Sequence, residues 1–224
     1  MTDLATDNLA TALARHAIEL PAEQIAQLDR YRELLWAENE HLNLTRHTTF
    51  EKFVTRDVVD SLALVRLIDI GEVVLDLGTG GGVPGVILAI VRPDLQVTAC
   101  DSVAKRARAT EQIVSQLDVD LDVVHSSGQT LLESQSVDTI VSRAVAPLRK
   151  MLTWLEPHWD AFSQLLLIKG RSWVEERGEA RHLGLLRELQ LRRLNSYETP
   201  GTGAENVVLG IRPKDADWED GETE

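Results

Sequence analysis

The spacing of apolar residues along this chain changes near residue 70 and divides it in two. Before that point the apolar positions recur every three or four residues. From Pro21, a residue suited to a first helical turn, Ile25, Leu28, Tyr31 and Leu35 fall on one helix face. A second helix is predicted from near Phe50 to Ile68, on Phe53, Val54, Val58, Leu62, Leu64, Val65 and Ile68. The stretch Glu40–Arg46 between them reads as a loop. After residue 70, short continuous apolar runs alternate with helical stretches. Strands are predicted at Val73–Leu77, Gln96–Cys100, Leu121–His125, Thr139–Ser142, Gln164–Ile168, Leu191–Tyr197 and Asn206–Ile211. Helices are predicted at Pro84–Val91, Ala104–Leu117, Leu148–Leu155 and Trp173–Leu189.

Strands without alternation suit a parallel sheet covered on both faces. The last two strands are joined by residues 199–205 with no helix between them, so they should form an antiparallel pair at the sheet's end. The expected fold is therefore α/β and Rossmann-like, a mostly parallel sheet with an antiparallel end. Residues 71–213 would form its core. Residues 1–70 would be a helical cap of the same domain, and residues 214–224 an acidic, disordered tail.

Composition narrows this picture. Of 224 residues 43% are hydrophobic, enough for a sizeable core, yet no run of eighteen apolar residues suggests a membrane span. The first residues lack the basic region and apolar core of a secretory signal. Cys100 is the only cysteine, which rules out an internal disulfide and a thiolate metal cluster. The six histidines are scattered without ligand spacing, so no metal is expected. A cytoplasmic location fits. The net charge of -13 argues against a nucleic-acid partner, but residues 143–193 carry 10 basic and 6 acidic side chains, the only segment of net positive sign. That segment reads as a footprint for phosphates or as an ordinary solvated helix face.

The chemistry concentrates in Val73-Val-Leu-Asp-Leu-Gly-Thr-Gly-Gly-Gly-Val-Pro-Gly85, followed by Asp101. A strand ends, the chain turns on glycines, and a helix begins. Such turns admit positive φ and bring backbone close to a nucleotide. Residues 80–85 also satisfy the dinucleotide fingerprint. Two residues point away from a pyrophosphate. Asp76 would repel it and suits a cationic amino-acid moiety, and Pro84 lacks an N–H at the helix start. S-adenosyl-L-methionine is thus the expected cofactor. Asp101, 23 residues after Gly78, stands where an acidic side chain holds ribose hydroxyls; its other use is to cap the helix beginning near Val103. Cys100 reads as a small buried strand residue.

Several stretches occur together in order: Asn43-Leu-Thr45, Asp60-Ser61, Asp76-Leu-Gly-Thr-Gly-Gly-Gly-Val-Pro-Gly85, Val91-Arg-Pro93, Asp101-Ser102, Lys105-Arg106, Ser142-Arg-Ala144 and Lys169-Gly170. In these the chain resembles the bacterial small-subunit ribosomal RNA guanine-N7 methyltransferases, also called glucose-inhibited division protein B. The resemblance runs from about Leu34 to Gly170. It implies a class I methyltransferase fold, S-adenosylmethionine as cofactor, and small-subunit ribosomal RNA as partner; the acidic net charge adds the expectation that this RNA is met within the assembled subunit. It places Gly78, Thr79, Gly80, Gly82, Val83, Asp101, Ser102, Gly128, Gln129 and Arg143 around the cofactor. The family usually has a hydrophobic residue and Glu where Gly128 and Gln129 stand, often His at Asp57, and commonly proline at Gly81.

Guanine N7 carries a lone pair and no proton, so methyl transfer to it needs positioning and no general base. Arg143 is the candidate donor to guanine O6; it serves equally as the partner of a phosphate or a carboxylate. Asn43 is a second candidate, at the pocket mouth, or else a loop-forming residue. Lys105, Arg106, Lys169 and Arg171 are the leading RNA-contacting side chains, Lys169 alternatively solvating a strand end. Trp36, Trp154, Trp159 and Trp173 are expected to pack against the fold. Three rivals stay open: a small-molecule methyltransferase, a nicotinamide-dependent oxidoreductase, and a cofactor-binding regulator without turnover.

Overall fold

The computed structural model describes residues 7–216. Seven strands form one sheet: β1 (Val73–Leu77), β2 (Gln96–Asp101), β3 (Leu121–His125), β4 (Val137–Arg143), β5 (Phe162–Lys169), β6 (Leu189–Thr199) and β7 (Ala204–Pro213). Their order is β3-β2-β1-β4-β5-β7-β6. Five strands are mutually parallel, and β7 runs antiparallel to both β5 and β6. The hairpin expected at the sheet's end is therefore present, with its later strand inside. Composition explains that order. Residues 206–211 of β7 are buried throughout, whereas β6 exposes Arg192 and Arg193 and suits an edge. The expected strands all form: β1 and β3 with the expected bounds, β2 one residue longer, and β4–β7 each extended at both ends, by three or four residues in all.

Nine α-helical segments cover the sheet among the described residues: α1 (Leu9–Arg15), α2 (Ala22–Asn39), α3 (Phe50–Lys52), α4 (Val59–Val65), α5 (Gly85–Val91), α6 (Ala104–Val114), α7 (Gly128–Leu132), α8 (Leu148–Leu155) and α9 (Trp173–His182). Strand alternation divides the core. Val74, Val97, Val141 and Leu166 face α1–α6, while Leu75, Ile140, Leu165 and Leu167 face α8 and α9. The N-terminal helices share the first of these cores, with Leu28, Tyr31, Leu35 and Phe53 fully buried.

Several elements depart from expectation, among them α6, which ends at Val114 three residues early, and the short helix α7, which was not expected. The helix predicted at Phe50–Ile68 ends at Val65 and carries a π-helical turn, Phe53–Val58, between α3 and α4. That wider turn buries Asp57 together with its apolar neighbours. The helix predicted at Trp173–Leu189 stops at His182. Gly184 takes φ +76, and the Gly184 and Leu185 N–H groups return to the Arg181 and Ala180 carbonyls, which closes the helix before β6 begins. Helix α1 had no place in the sequence reading, although Asn8 caps it through the Thr11 N–H at 2.9 Å. The tail assigned to residues 214–224 lies, from residue 217, outside the described residues. No helix among the described residues is long and apolar enough to cross a membrane.

Candidate active site

The glycine loop leaves β1 where β2 and β4 diverge on either side of it, the switch point at which open α/β sheets hold ligands. The Gly78 and Thr79 N–H groups both donate to the Cys100 carbonyl at 2.9 Å, turning the chain back across the end of β2. Gly78 has φ +76, and a Cβ there would collide with Val145. Gly80, at φ +60, faces open space. The loop is braced from beneath: the Tyr31 hydroxyl donates to the Gly81 carbonyl at 2.8 Å, and the Thr110 hydroxyl to the Gly80 carbonyl at 2.8 Å. The N-terminal helices thus support the loop directly.

Asp76 sits differently from the expected place beside a cationic ligand. Alternation along β1 turns its side chain to the Val74 face, under the start of α5, with no solvent exposure. Its Oδ2 accepts from the Gly85 N–H at 2.8 Å. Burial pushes its carboxyl up to about 6, against the opposing pull of the Thr79 side chain and the Gly85 N–H. It shapes the loop from within. Asp101 combines two roles. Its Oδ1 accepts from the Val103 N–H at 2.8 Å, the capping use, and its Oδ2 from the Gly80 N–H at 3.1 Å, while the residue still lines the cleft. Cys100 is buried, with its thiol pushed up to about 12 by that burial, and is no nucleophile.

The cleft over these strand ends has a volume of about 650 Å³, the size of a nucleoside joined to an amino acid. Of the residues proposed from sequence, Gly78, Thr79, Gly80, Val83, Asp101, Ser102, Arg106 and Arg143 all line it. Its apolar walls include Val103, Val145 and Trp154, three of the exposed large apolar side chains among the described residues. Trp154 corrects an expectation: it is 37% exposed, and does not pack into the core. The phase of α8 explains this, because Leu148, Met151, Leu152 and Leu155 form the buried stripe and Trp154 lies off it. The other three expected to pack do so: Trp36 against Phe50, Trp159 against Phe162, and Trp173 beneath Arg177.

At the other end of the cleft Arg143, from the end of β4, meets two buried carboxylates. Its Nη1 lies 2.8 Å from Asp57 Oδ1 and 3.1 Å from Asp60 Oδ2, and donates to the Arg56 carbonyl at 3.1 Å. Burial would lower the guanidinium's pKa, but the two aspartates outweigh it and the net shift is upward. Burial raises Asp60, with Arg143 and the Tyr197 hydroxyl opposing; that hydroxyl donates to Asp60 Oδ1 at 2.7 Å. His47 Nδ1 stands 2.8 Å from Asp57 Oδ1. Beside them Arg56 donates to Thr199 Oγ1 at 3.1 Å, as Asn206 does at 2.8 Å. His47, Arg56, Asp60, Trp154 and Asn206 line the cleft and were missed as site residues in the sequence reading. One signal was present: Asp57 and Asp60 interrupt an otherwise apolar helix stripe. Ala144 follows in the left-handed region at φ +56, at the cleft wall.

The remaining sequence candidates lie outside the lining. Gly82 packs against Tyr31 and Val86, and Gly128 is buried against Leu77, with Gln129 following in the first turn of α7. Asn43 is exposed on the loop whose Leu44 and Thr45 line the cleft. Lys105 is exposed next to Arg106. Lys169 is held inside the fold, its Nζ donating to Glu176 at 2.8 Å and to the Ala146 carbonyl at 2.7 Å. Arg171 donates to the Gly203 carbonyl at 2.7 Å. The positive segment is thus partly neutralised by its own contacts, including Arg149 with Glu179 and Arg193 with Glu205. Among the described residues no group of three or more metal-ligating side chains converges.

A glycine loop after β1, an acid at the end of β2 and a seven-stranded sheet with β7 inserted antiparallel define a Rossmann-like class I methyltransferase. Solved structures agree on the fold. A methyltransferase from Pyrococcus furiosus matches at TM-score 0.54 and 14% identity, covering 71% of this chain and 83% of that one. TrmK from M. capricolum, in complex with S-adenosyl-homocysteine, matches at TM-score 0.55 and 14% identity, covering 71% of each. Sequence comparison goes further. The family model described as rRNA small subunit methyltransferase G matches residues 24–203. The Ribosomal RNA small subunit methyltransferase G of Rhodopirellula baltica is 47% identical over 209 residues, 92% of this chain and 90% of that protein. That of Acholeplasma laidlawii is 30% identical over 187 residues, covering 82% and 81%. The chain belongs to the rRNA small subunit methyltransferase G family and is a methyltransferase enzyme of that kind. The small-molecule alternative is not favoured.

Proposed function

We propose that this enzyme transfers a methyl group from S-adenosylmethionine to N7 of a guanine in small-subunit ribosomal RNA, within the assembled subunit. The carrying observation is convergence: Gly78–Gly80, Asp101 and Arg143, from the ends of three adjacent strands, line one cleft. The residues present fit the cofactor. The open space over Gly80 admits close approach, Asp101 offers carboxylate acceptors to a ribose diol, and Val103 and Val145 supply apolar walls for an adenine. When bound, S-adenosylmethionine supplies an electrophilic methyl group on a sulfonium.

The chain's own part is positioning. Among the described residues the hydrogen bonds and ion pairs of Arg143 run through Nη1, which leaves Nη2 to hold guanine O6 while N7 stays free. No residue has to remove a proton, because guanine N7 carries none. Trp154 and Val145 shield the reacting atoms from water. Arg106 and Lys105 at the rim meet RNA phosphates, and Asn43 stands at the mouth. A protein of net charge -13 needs a shaped ribosomal surface more than free RNA.

Labelled methyl transfer from S-adenosylmethionine to unmodified small subunits, followed by nucleotide mapping, tests this reading. The expected result is label at N7 of one guanine, lost in Arg143→Lys, which keeps the charge but not the planar fork. Absence of label on subunits and on their RNA, with cofactor binding intact, would refute it.

A further inference from the structure

His47 is a side chain built into place. Its backbone N–H donates to Thr45 Oγ1 at 3.0 Å, and its carbonyl accepts from Trp36 Nε1 at 3.0 Å. The loop carrying it is pinned again where Asn39 accepts the Thr45 N–H at 2.8 Å. Trp36 is itself fixed, with Arg32 stacked over it at 4.5 Å and over Phe50 at 4.6 Å. The ring's Nδ1 is held 2.8 Å from Asp57 Oδ1, and Asp57 is fully buried. Three of the residue's four polar atoms therefore have partners. The fourth, Nε2, lies on the opposite side of the ring, carries no hydrogen bond among the described residues, and belongs to a residue that lines the cleft.

The partner of Nδ1 decides what Nε2 can do. Asp57 Oδ1 is a carboxylate oxygen that also takes Arg143 Nη1 at 2.8 Å; a neutral imidazole facing that acceptor would place its proton on Nδ1 and its lone pair on Nε2. One carboxylate oxygen thus orients a donor, Arg143, and an acceptor, His47, toward the same end of the cleft. Guanine needs that pair. Its O6 is an acceptor, and the adjacent N1–H and 2-amino groups are donors, whereas adenine has the opposite order on that edge. A donor and an acceptor side by side read guanine by the face that does not carry N7.

We propose that His47, oriented by Asp57, is the acceptor that reads the N1–H and 2-amino edge of the target guanine. This rests on the reading of the cleft as a guanine-N7 site and adds the residue that selects the base.

The test is a cycle between protein and base. Small subunits reconstituted with guanosine, inosine (no 2-amino group) or 1-deazaguanosine (no N1–H) at the mapped position are assayed with the intact enzyme and with His47→Ala and His47→Gln. His47→Ala should lower kcat/KM on guanosine subunits about 10- to 100-fold with the Kd for S-adenosylmethionine unchanged, and His47→Gln, whose amide oxygen also accepts, should recover part of it. At least one analogue should penalise the intact enzyme and leave His47→Ala indifferent. Equal penalties in both proteins, or full kcat/KM in His47→Ala, would overturn the inference while leaving the guanine-N7 reading standing. No N7 label from the intact enzyme on guanosine subunits would instead remove that reading and this inference together.

Discussion

The two ends of the cleft are built in opposite ways. The end proposed for the cofactor is the more local: Gly78, Thr79 and Gly80 are organised by the Cys100 carbonyl and by Asp101 of the neighbouring strand, with Tyr31 of α2 bracing Gly81. The base end is global. Arg143 reaches Asp60 across 83 residues of chain, Tyr197 reaches Asp60 across 137, and Arg56 reaches Thr199 across 143. On the proposed reading, cofactor binding thus rests on a glycine loop held by the neighbouring strand end and by braces from Tyr31 and Thr110. Substrate recognition is fixed by whether α2, the π-helical turn, β4 and the final hairpin pack together. A change at the first end should alter cofactor affinity, and one at the second should alter turnover and stability.

The largest effect should come from breaking the base end outright. Arg143→Ala leaves Asp57 and Asp60 buried without their cation, a loss of about 3–5 kcal/mol measurable by urea unfolding. Arg143→Lys should recover much of that stability while methyl transfer stays depressed, since a single ammonium nitrogen cannot stand at the Nη1 position between the aspartates and at the Nη2 position facing the base.

The cofactor end carries its own signature in pH. Burial raises Asp76 from 3.8 to about 6, so the folded protein binds that proton more tightly than the unfolded chain. Its contribution is therefore fully present below pH about 4 and lost as pH rises through about 6, a change of about 3 kcal/mol at ~1.4 kcal/mol per pH unit. Asp76→Asn should flatten this dependence in unfolding curves at pH 4.5 and 7.5. Equal slopes in the two proteins would contradict the assignment.

Gly78→Ala sharpens the contrast at intermediate size. It meets both a positive φ and Val145, and should cost about 1–3 kcal/mol and weaken S-adenosylmethionine binding in calorimetry. Smallest is Tyr31→Phe, which removes one buried hydrogen bond to the Gly81 carbonyl for about 1 kcal/mol in unfolding measurements.

The same contrast governs what could be read from sequence. Strand and helix periods, the glycine loop, Asp101 and the closing hairpin were legible because each is set by residues adjacent in the chain. The shielding of Asp76 was not, because a strand's two faces look alike until helices cover them. Lys169 read as a surface cation, but its partner Glu176 becomes a neighbour only once α9 folds back on β5. His47 gave no signal at all: its meaning comes from Asp57, brought inward by a π-helical turn that the 3.6-residue period does not anticipate. The insertion of β7 between β5 and β6 follows from its greater burial, a property visible only when the two strands are compared.

The division between the two ends is tested most directly by the affinity for S-adenosylmethionine of Asp101→Asn and Arg143→Lys, measured side by side by calorimetry on folded protein. The account expects about a 10-fold loss in Asp101→Asn, which removes a charged acceptor, and near-native affinity in Arg143→Lys. Equal losses in both would show that Arg143 serves the cofactor, and that the two ends of the cleft are one.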